Sequence, residues 1–195
     1  EMPICADAKK FFEKLVIKLT SNEKILFKNE KWLQICANWK AKYPVTQPKH
    51  WEEDGMYANV YAFVNYLSSQ LPKGNMTVVS NGSACVVGSH NYEIKKDARF
   101  LINSAIASMG YGLPAAIGAC VAIGKKNTIC LEGDGSIMMN LQELQTIITN
   151  KLPIKVFLIN NEGYHSIRQT QNNLFKDHSK VGIGPESGDL SFPSY

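Results

Sequence analysis

Residues 76–160 predict an α/β fold, a three-layer doubly wound parallel sheet, on three observations. Short apolar runs near 76–80, 98–102, 127–132 and 154–160 alternate with helical patterns at 111–123 and 136–150. That is the rhythm of parallel strands covered by helices on both faces. Gly133-Asp134-Gly135-Ser136 ends the third run and Asn160-Asn161 ends the fourth, with 27 positions from Asp134 to Asn161. A helix over 136–150 travels about 22 Å at 1.5 Å per residue, and a strand over 154–160 returns about 23 Å at 3.3 Å per residue. Asp134 and Asn161 are therefore expected side by side at the carboxyl ends of adjacent strands, where open α/β sheets bind ligands.

The elements follow in order. Residues 6–19 and 30–41 place apolar side chains at three- and four-residue steps, Trp32, Ile35 and Trp39 among them, and read as helices. Residues 42–54 carry Pro44 and Pro48 and read as a linker. A third helix is expected over 56–70, ended by Pro72 and Gly74. Pro114 fits the first turn of its helix. Gly163–Arg168 can open a further helix, and 176–195, rich in Gly, Ser and Pro, reads as a loop.

With 195 residues the chain is expected to hold one domain and an appendage. A net charge of +4 is too small and dispersed to imply a nucleic-acid partner. Five cysteines show neither C-x-x-C pairing nor metal spacing, and Cys120 and Cys130 sit in apolar runs, as buried thiols of a reducing compartment do. With no stretch of 18 apolar residues and no signal peptide pattern, the expectation is a cytoplasmic protein without a membrane partner.

Chemically, the paired turns offer oxygen. A carboxylate, an amide oxygen and backbone carbonyls suit Mg²⁺, which takes one or two protein carboxylates and shares its remaining positions with phosphate and water. Gly135 and Ser136 open the following helix, so their N–H groups and the Ser136 hydroxyl can meet an anion there. A metal-bridged diphosphate is the expected ligand. Competing readings stand beside this one. Asp134 can be a plain turn residue, and Asn160-Asn161 a helix cap before Gly163. Gly110-x-Gly112 with Glu132 twenty residues on imitates a dinucleotide fingerprint, yet strand 99–102 ends eight residues before Gly110, too far for the tight phosphate turn.

GDG followed some two dozen residues later by NN resembles the metal signature of thiamine-diphosphate enzymes. Met109-Gly110-Tyr111-Gly112-Leu113-Pro114-Ala115-Ala116-Ile117-Gly118-Ala119 resembles a second block of that group at its usual distance. The likeness runs over about residues 76–175 and is greatest to acetolactate synthase-like proteins. It implies the thiamine-diphosphate-binding fold over 51–195, lacking its last elements, preceded in 1–50 by the tail of a central domain and a linker. Glu1 in place of an initiator Met agrees with a fragment. The implied cofactors are thiamine diphosphate and Mg²⁺, the metal held by Asp134, the Asn161 side chain and the Gly163 carbonyl. Gly82, Ser83, Gly133, Gly135 and Ser136 would contact the cofactor. Met109 would wedge between its rings, and the Ala107 carbonyl would accept from its exocyclic amine.

The resemblance also implies decarboxylation of a 2-oxo acid with ligation of the product to a second carbonyl compound. The alternatives are a 2-oxo acid decarboxylase without ligation, including two-subunit forms, or a non-catalytic assembly module using the apolar 101–123 region. The activating glutamate is expected from a pyrimidine-binding domain of another subunit, so the whole protein should be at least a homodimer and this chain holds no catalytic residue. Glu143 is the local alternative, on a helix and facing solvent. Ser83-Ala84 replaces the Gln-His pair of the synthases, and Thr170 stands where their substrate-selecting Trp falls. His165 and Arg168 are candidates for a substrate carboxylate, or surface residues.

Overall fold

The computed structural model describes residues 3–21, 29–52 and 57–176. The chain divides into two compact units, Glu1–Pro44 and Val45–Tyr195. In the first, helix α1 (Ala8–Thr20) starts at Asp7, whose Oδ1 accepts from Lys10 N, and helix α2 (Glu30–Lys42) starts at Asn29, which accepts from Trp32 N. Side-chain oxygens at these caps satisfy donors that a helix start leaves unpaired.

In the second unit, part of the proline-bearing stretch is ordered. A 3-10 turn at Pro48–His50 stacks His50 on Tyr61 at 5.3 Å, and Thr46 Oγ1 donates to Asn91 Oδ1 at 2.8 Å. Helix α3 (Val60–Gln70) follows an Asn59 cap and ends at Leu71, immediately before Pro72. Four strands come next: β1 (Met76–Val79), β2 (Arg99–Ile102), β3 (Thr128–Gly133) and β4 (Ile154–Ile159). They form one sheet in the order β2-β1-β3-β4, with every neighbouring pair parallel.

The helices sort onto two faces. Val79, Ile129 and Leu131 pack with α3 and with α4 (Gly82–Asn91). Met76, Val78 and Cys130 pack with α5 (Gly112–Ala122) and Ile137. Alternation along β1 and β3 supplies both cores, as the two-residue period of a strand requires. The three-layer doubly wound fold is as the sequence predicts. After β2 the chain crosses over β1 to build β3, so the strand order reverses between β1 and β3, and a crevice opens there at their carboxyl ends.

Two elements differ from expectation. Helix α4 lies where no helix is read, between the first two strands. Its apolar residues are small and spread around the axis, and a Cβ on Gly88 would sit 3.4 Å from both Val79 and Phe100, so the helix hugs the sheet. The helix expected over 136–150 is broken into α6 (Asp134–Ile137) and α7 (Glu143–Thr149). The gap is bridged by shorter i to i−3 bonds, such as Asn140 N to the Ile137 carbonyl. The backbone of Gly110 causes the break: a Cβ there would lie 2.6 Å from Met139 Cβ, and Asn140 Nδ2 donates to the Gly110 carbonyl at 2.8 Å. The final helix, α8 (His165–Leu174), falls where the sequence allows one. Of the expected loop 176–195, residues 177–195 lie outside the described residues.

Candidate functional site

The crevice at the strand reversal is a cleft of about 130 Å³. Gly82, Ser83, Met109, Gly133, Asp134, Gly135, Ser136, Asn161 and Gly163 all line it, so nine of the ten residues singled out from sequence share one wall. The tenth, Ala107, does not. Its backbone is left-handed at φ 54°, and its carbonyl accepts from Nδ2 of the cleft-lining Asn81 at 3.1 Å.

Asp134 sits at the end of β3 with only 1% of its surface exposed. Its Oδ1 accepts from Gly135 N at 2.9 Å and its Oδ2 from Gly163 N at 2.8 Å. These bonds offset part of the cost of burying a charge and fasten the end of β3 to the loop after β4. That loop is built by its own sequence. Asn160 Oδ1 accepts from Glu162 N in a local turn, Glu162 has φ 61° and Gly163 has φ 120°. Asn160 thus shapes the turn, Asn161 presents an amide, and neither caps α8, whose N-cap is Tyr164.

One polar atom of the Asn161 amide lies 3.3 Å from Asp134 Oδ1 and 2.8 Å from the Gly163 carbonyl oxygen, and the other faces Ser83 Oγ at 3.2 Å. With nitrogen inward, the amide donates to both oxygens. With oxygen inward, three oxygens converge. Two oxygens at right angles, each 2.0–2.1 Å from an octahedral ion, stand about 2.9 Å apart, and the observed 3.3 and 2.8 Å bracket that spacing. The donor set therefore fits a small oxygen-seeking divalent cation. Among the described residues no group of three or more His, Cys, Asp or Glu forms a metal cluster. One carboxylate with amide and carbonyl oxygens is the alternative such a cation accepts.

Ser136 lines the cleft, and its hydroxyl also ties neighbouring segments together. It is buried, pairs with Ser80 Oγ at 2.8 Å and accepts from Gly110 N at 2.9 Å, joining β1, the Gly110 loop and the acidic turn. Arg168 does not line the cleft; its guanidinium donates to the carbonyls of Asn161 and Glu162 and so braces the loop. His165 does line the cleft, on its exposed side, while Thr170 is exposed on α8. Glu143 is half-buried rather than solvent-facing. It opens α7, does not line the cleft, and is an acid at a positive helix end.

Three residues at or beside this site carry no role in the thiamine-diphosphate reading of the sequence. Asn81 lines the cleft and holds Ala107. Tyr164 lies so close over Gly135 that a Cβ there would be 2.7 Å from its ring, which is why the turn needs glycine. Glu132 is fully buried against Gly112, where a Cβ would meet Glu132 Oε2 at 2.1 Å. A ribose-binding role for Glu132 is closed by that burial, and the dinucleotide reading falls with it. The thiol of Cys130 is pushed well above its usual range, first by burial and then by the charge of Glu132, so it is inert. The apolar side chains Leu113, Ala116, Ala119 and Cys120 of α5 are likewise spent on the protein's own core.

Residues 80–192, more than half the chain, match the family described as thiamine pyrophosphate enzyme, C-terminal TPP binding domain. The chain belongs to the thiamine pyrophosphate enzymes. Among curated proteins of this family, it is 32% identical to the chloroplastic acetolactate synthase 2 of Nicotiana tabacum over 204 aligned residues, covering 98% of this chain and 29% of the relative. It is 31% identical to the acetolactate synthase large subunit of Cyanidium caldarium, with 94% of this chain and 31% of the relative covered. The large subunit of isozyme 3 from Escherichia coli K12 is 30% identical, over 90% of this chain and 30% of the relative. The chain thus spans about three-tenths of the length of these relatives. Thiamine diphosphate is the ligand of this family's domain. No helix among the described residues is long and apolar enough to cross a membrane.

Proposed function

We propose that this chain forms the diphosphate half of an acetolactate synthase-like active site, in which Mg²⁺ joins Asp134, Asn161 and the Gly163 carbonyl to the diphosphate of the cofactor. The observation that carries this reading is the meeting of the Asp134 carboxylate, the Gly163 carbonyl and the Asn161 amide, whose oxygen turned inward would complete the donor set, at the ends of adjacent strands inside the family's cofactor domain. When bound, thiamine diphosphate supplies the carbanion chemistry by which a 2-oxo acid loses CO₂ and its remainder joins a second carbonyl compound. The protein's share is position. Asp134 and Asn161 hold the cation, Gly133 and Gly135 let the diphosphate approach the backbone closely, and Met109 presents an apolar side chain from the loop before α5.

The cleft is one-sided. Its volume of about 130 Å³ is below the 300–1,000 Å³ that encloses a ligand of cofactor size, and among the described residues Asp134 is the only carboxylate lining it. The other wall and the activating glutamate are assigned to a pyrimidine-binding domain of a second subunit, which makes the working protein at least a dimer. The run Asn161-Glu162-Gly163-Tyr164 resembles the decarboxylase branch and supports, as a second reading, decarboxylation without ligation, while Ser83-Ala84 and Thr170 bear on which 2-oxo acid and acceptor are used. The test is calorimetric titration of the whole protein with thiamine diphosphate, with and without Mg²⁺. Saturable binding that needs Mg²⁺ and is lost in Asp134→Ala is the expected result, and metal-independent binding sinks the reading. The isolated chain should consume no 2-oxo acid, and turnover by it would overturn the two-subunit assignment.

A further inference from the structure

Glu132 is a fully buried carboxylate that the cofactor reading leaves without a task. It sits on the α5 face of β3, immediately before the acidic turn. Oε1 accepts from Gly133 N at 3.0 Å. Oε2 has no hydrogen-bond partner among the described residues. It presses against the first residue of α5, where a Cβ on Gly112 would lie 2.1 Å away, and beside Ser80, whose Cβ would be 3.0 Å from that same added atom. The α5 N-terminus has no side-chain cap, and Pro114 withholds an N–H from its first turn. A carboxylate placed there answers the positive end of the helix. A buried acid retained at such cost needs a reason.

We propose that Glu132 is a positioning residue for the cofactor: one side chain gauges the distance between the turn that presents Asp134 and the loop that presents Met109. Two further ties run between the same segments, Gly110 N to Ser136 Oγ and Asn140 Nδ2 to the Gly110 carbonyl. They fix the outer side of the joint, and Glu132 fixes the inner side. Gly112 is then glycine because a carboxylate, not a phosphate, occupies the space of its side chain. This inference rests on the proposed cofactor site and adds a residue that touches neither cation nor cofactor.

The experiment uses the whole protein and reads the Mg²⁺ and thiamine diphosphate concentrations for half-saturation by calorimetry, together with the Tm of the cofactor-free protein. Failure of the wild type to bind thiamine diphosphate defeats the functional reading itself. Given wild-type binding, Glu132→Ala should raise the half-saturating concentrations about tenfold, the usual cost of losing a group that orients a metal ligand. Glu132→Gln keeps the length and the acceptor for Gly133 N and should recover most of that loss. Should Glu132→Ala fail to fold, Gly112→Ala reads the same joint from its other end and should weaken binding in a folded protein. Val79→Ala, which loosens the opposite face, should lower Tm and leave half-saturation unmoved. Wild-type affinity in both Glu132→Ala and Gly112→Ala overturns the proposal, and so does an equal loss of affinity in Val79→Ala.

Discussion

The two ends of the sheet make a useful contrast. At the amino end, the turns feeding β1, β3 and β4 enclose an open groove of about 650 Å³, lined by Lys73, Lys125, Lys126 and Lys155. At the carboxyl end the cleft is only about 130 Å³. Size points to the wrong end. The lysines of the groove are exposed, and its one buried polar side chain, Asn75, is satisfied by the Pro72 carbonyl and by Tyr92. In the small cleft, Asp134 is buried, tied to two backbone N–H groups and aimed at other oxygens. Convergent, over-determined polar groups mark a site, because burying them has a cost that packing alone does not return.

The contrast can be broken or sharpened by substitution. Asp134→Ala should have the largest effect. Losing a partner that merely orients a metal ligand costs about 10–100-fold, so losing the ligand itself should exceed about 100-fold in Mg²⁺-dependent cofactor affinity by calorimetry. Gly135→Ala should come next. The added methyl must displace the Tyr164 ring that would lie 2.7 Å away, at about 1–3 kcal/mol of stability measured by denaturant titration, with most cofactor binding gone. Ser83→Ala should leave the Tm unchanged and raise half-saturating Mg²⁺ about tenfold, because the hydroxyl that orients Asn161 is removed. Lys73→Ala with Lys126→Ala should not change cofactor affinity at all; a change of more than about threefold, roughly 0.7 kcal/mol, would erase the distinction between the two ends. Cys130 should resist alkylation at pH 8 until the protein is unfolded, since its raised pKa keeps the thiol protonated and burial denies access.

Much of the fold was legible because the strands are short apolar runs between Gly, Pro and Lys turns, and parallel sheets bury such runs on both faces. Asp134 and Asn161 met as expected because a strand–helix–strand excursion has a nearly fixed length, even though its helix is broken at residues 138–142. What escaped notice depends on tertiary contact. Helix α4 shows no amphipathic stripe, since it is small-sided and pressed between the sheet and α3. The pairing of the Ser136 hydroxyl with Ser80 and Gly110 N joins segments far apart in sequence and left no local signal. Arg168 looked like a substrate anchor until the loop carbonyls turned out to be its targets. Gly112 matched a phosphate-turn pattern, and only the approach of Glu132 from another strand explains it.

Under the proposed metal role, the Asn161 amide has a consequence for how the site would take up its ion. Ser83 Oγ can either donate or accept, so it suits both orientations of that amide. Nitrogen inward, the empty ring of oxygens is already quiet; oxygen inward, it is ready for an ion. Loading then asks for half a revolution about one terminal bond while the surrounding backbone stays where it is, so the unfilled protein should keep its shape and take up metal quickly.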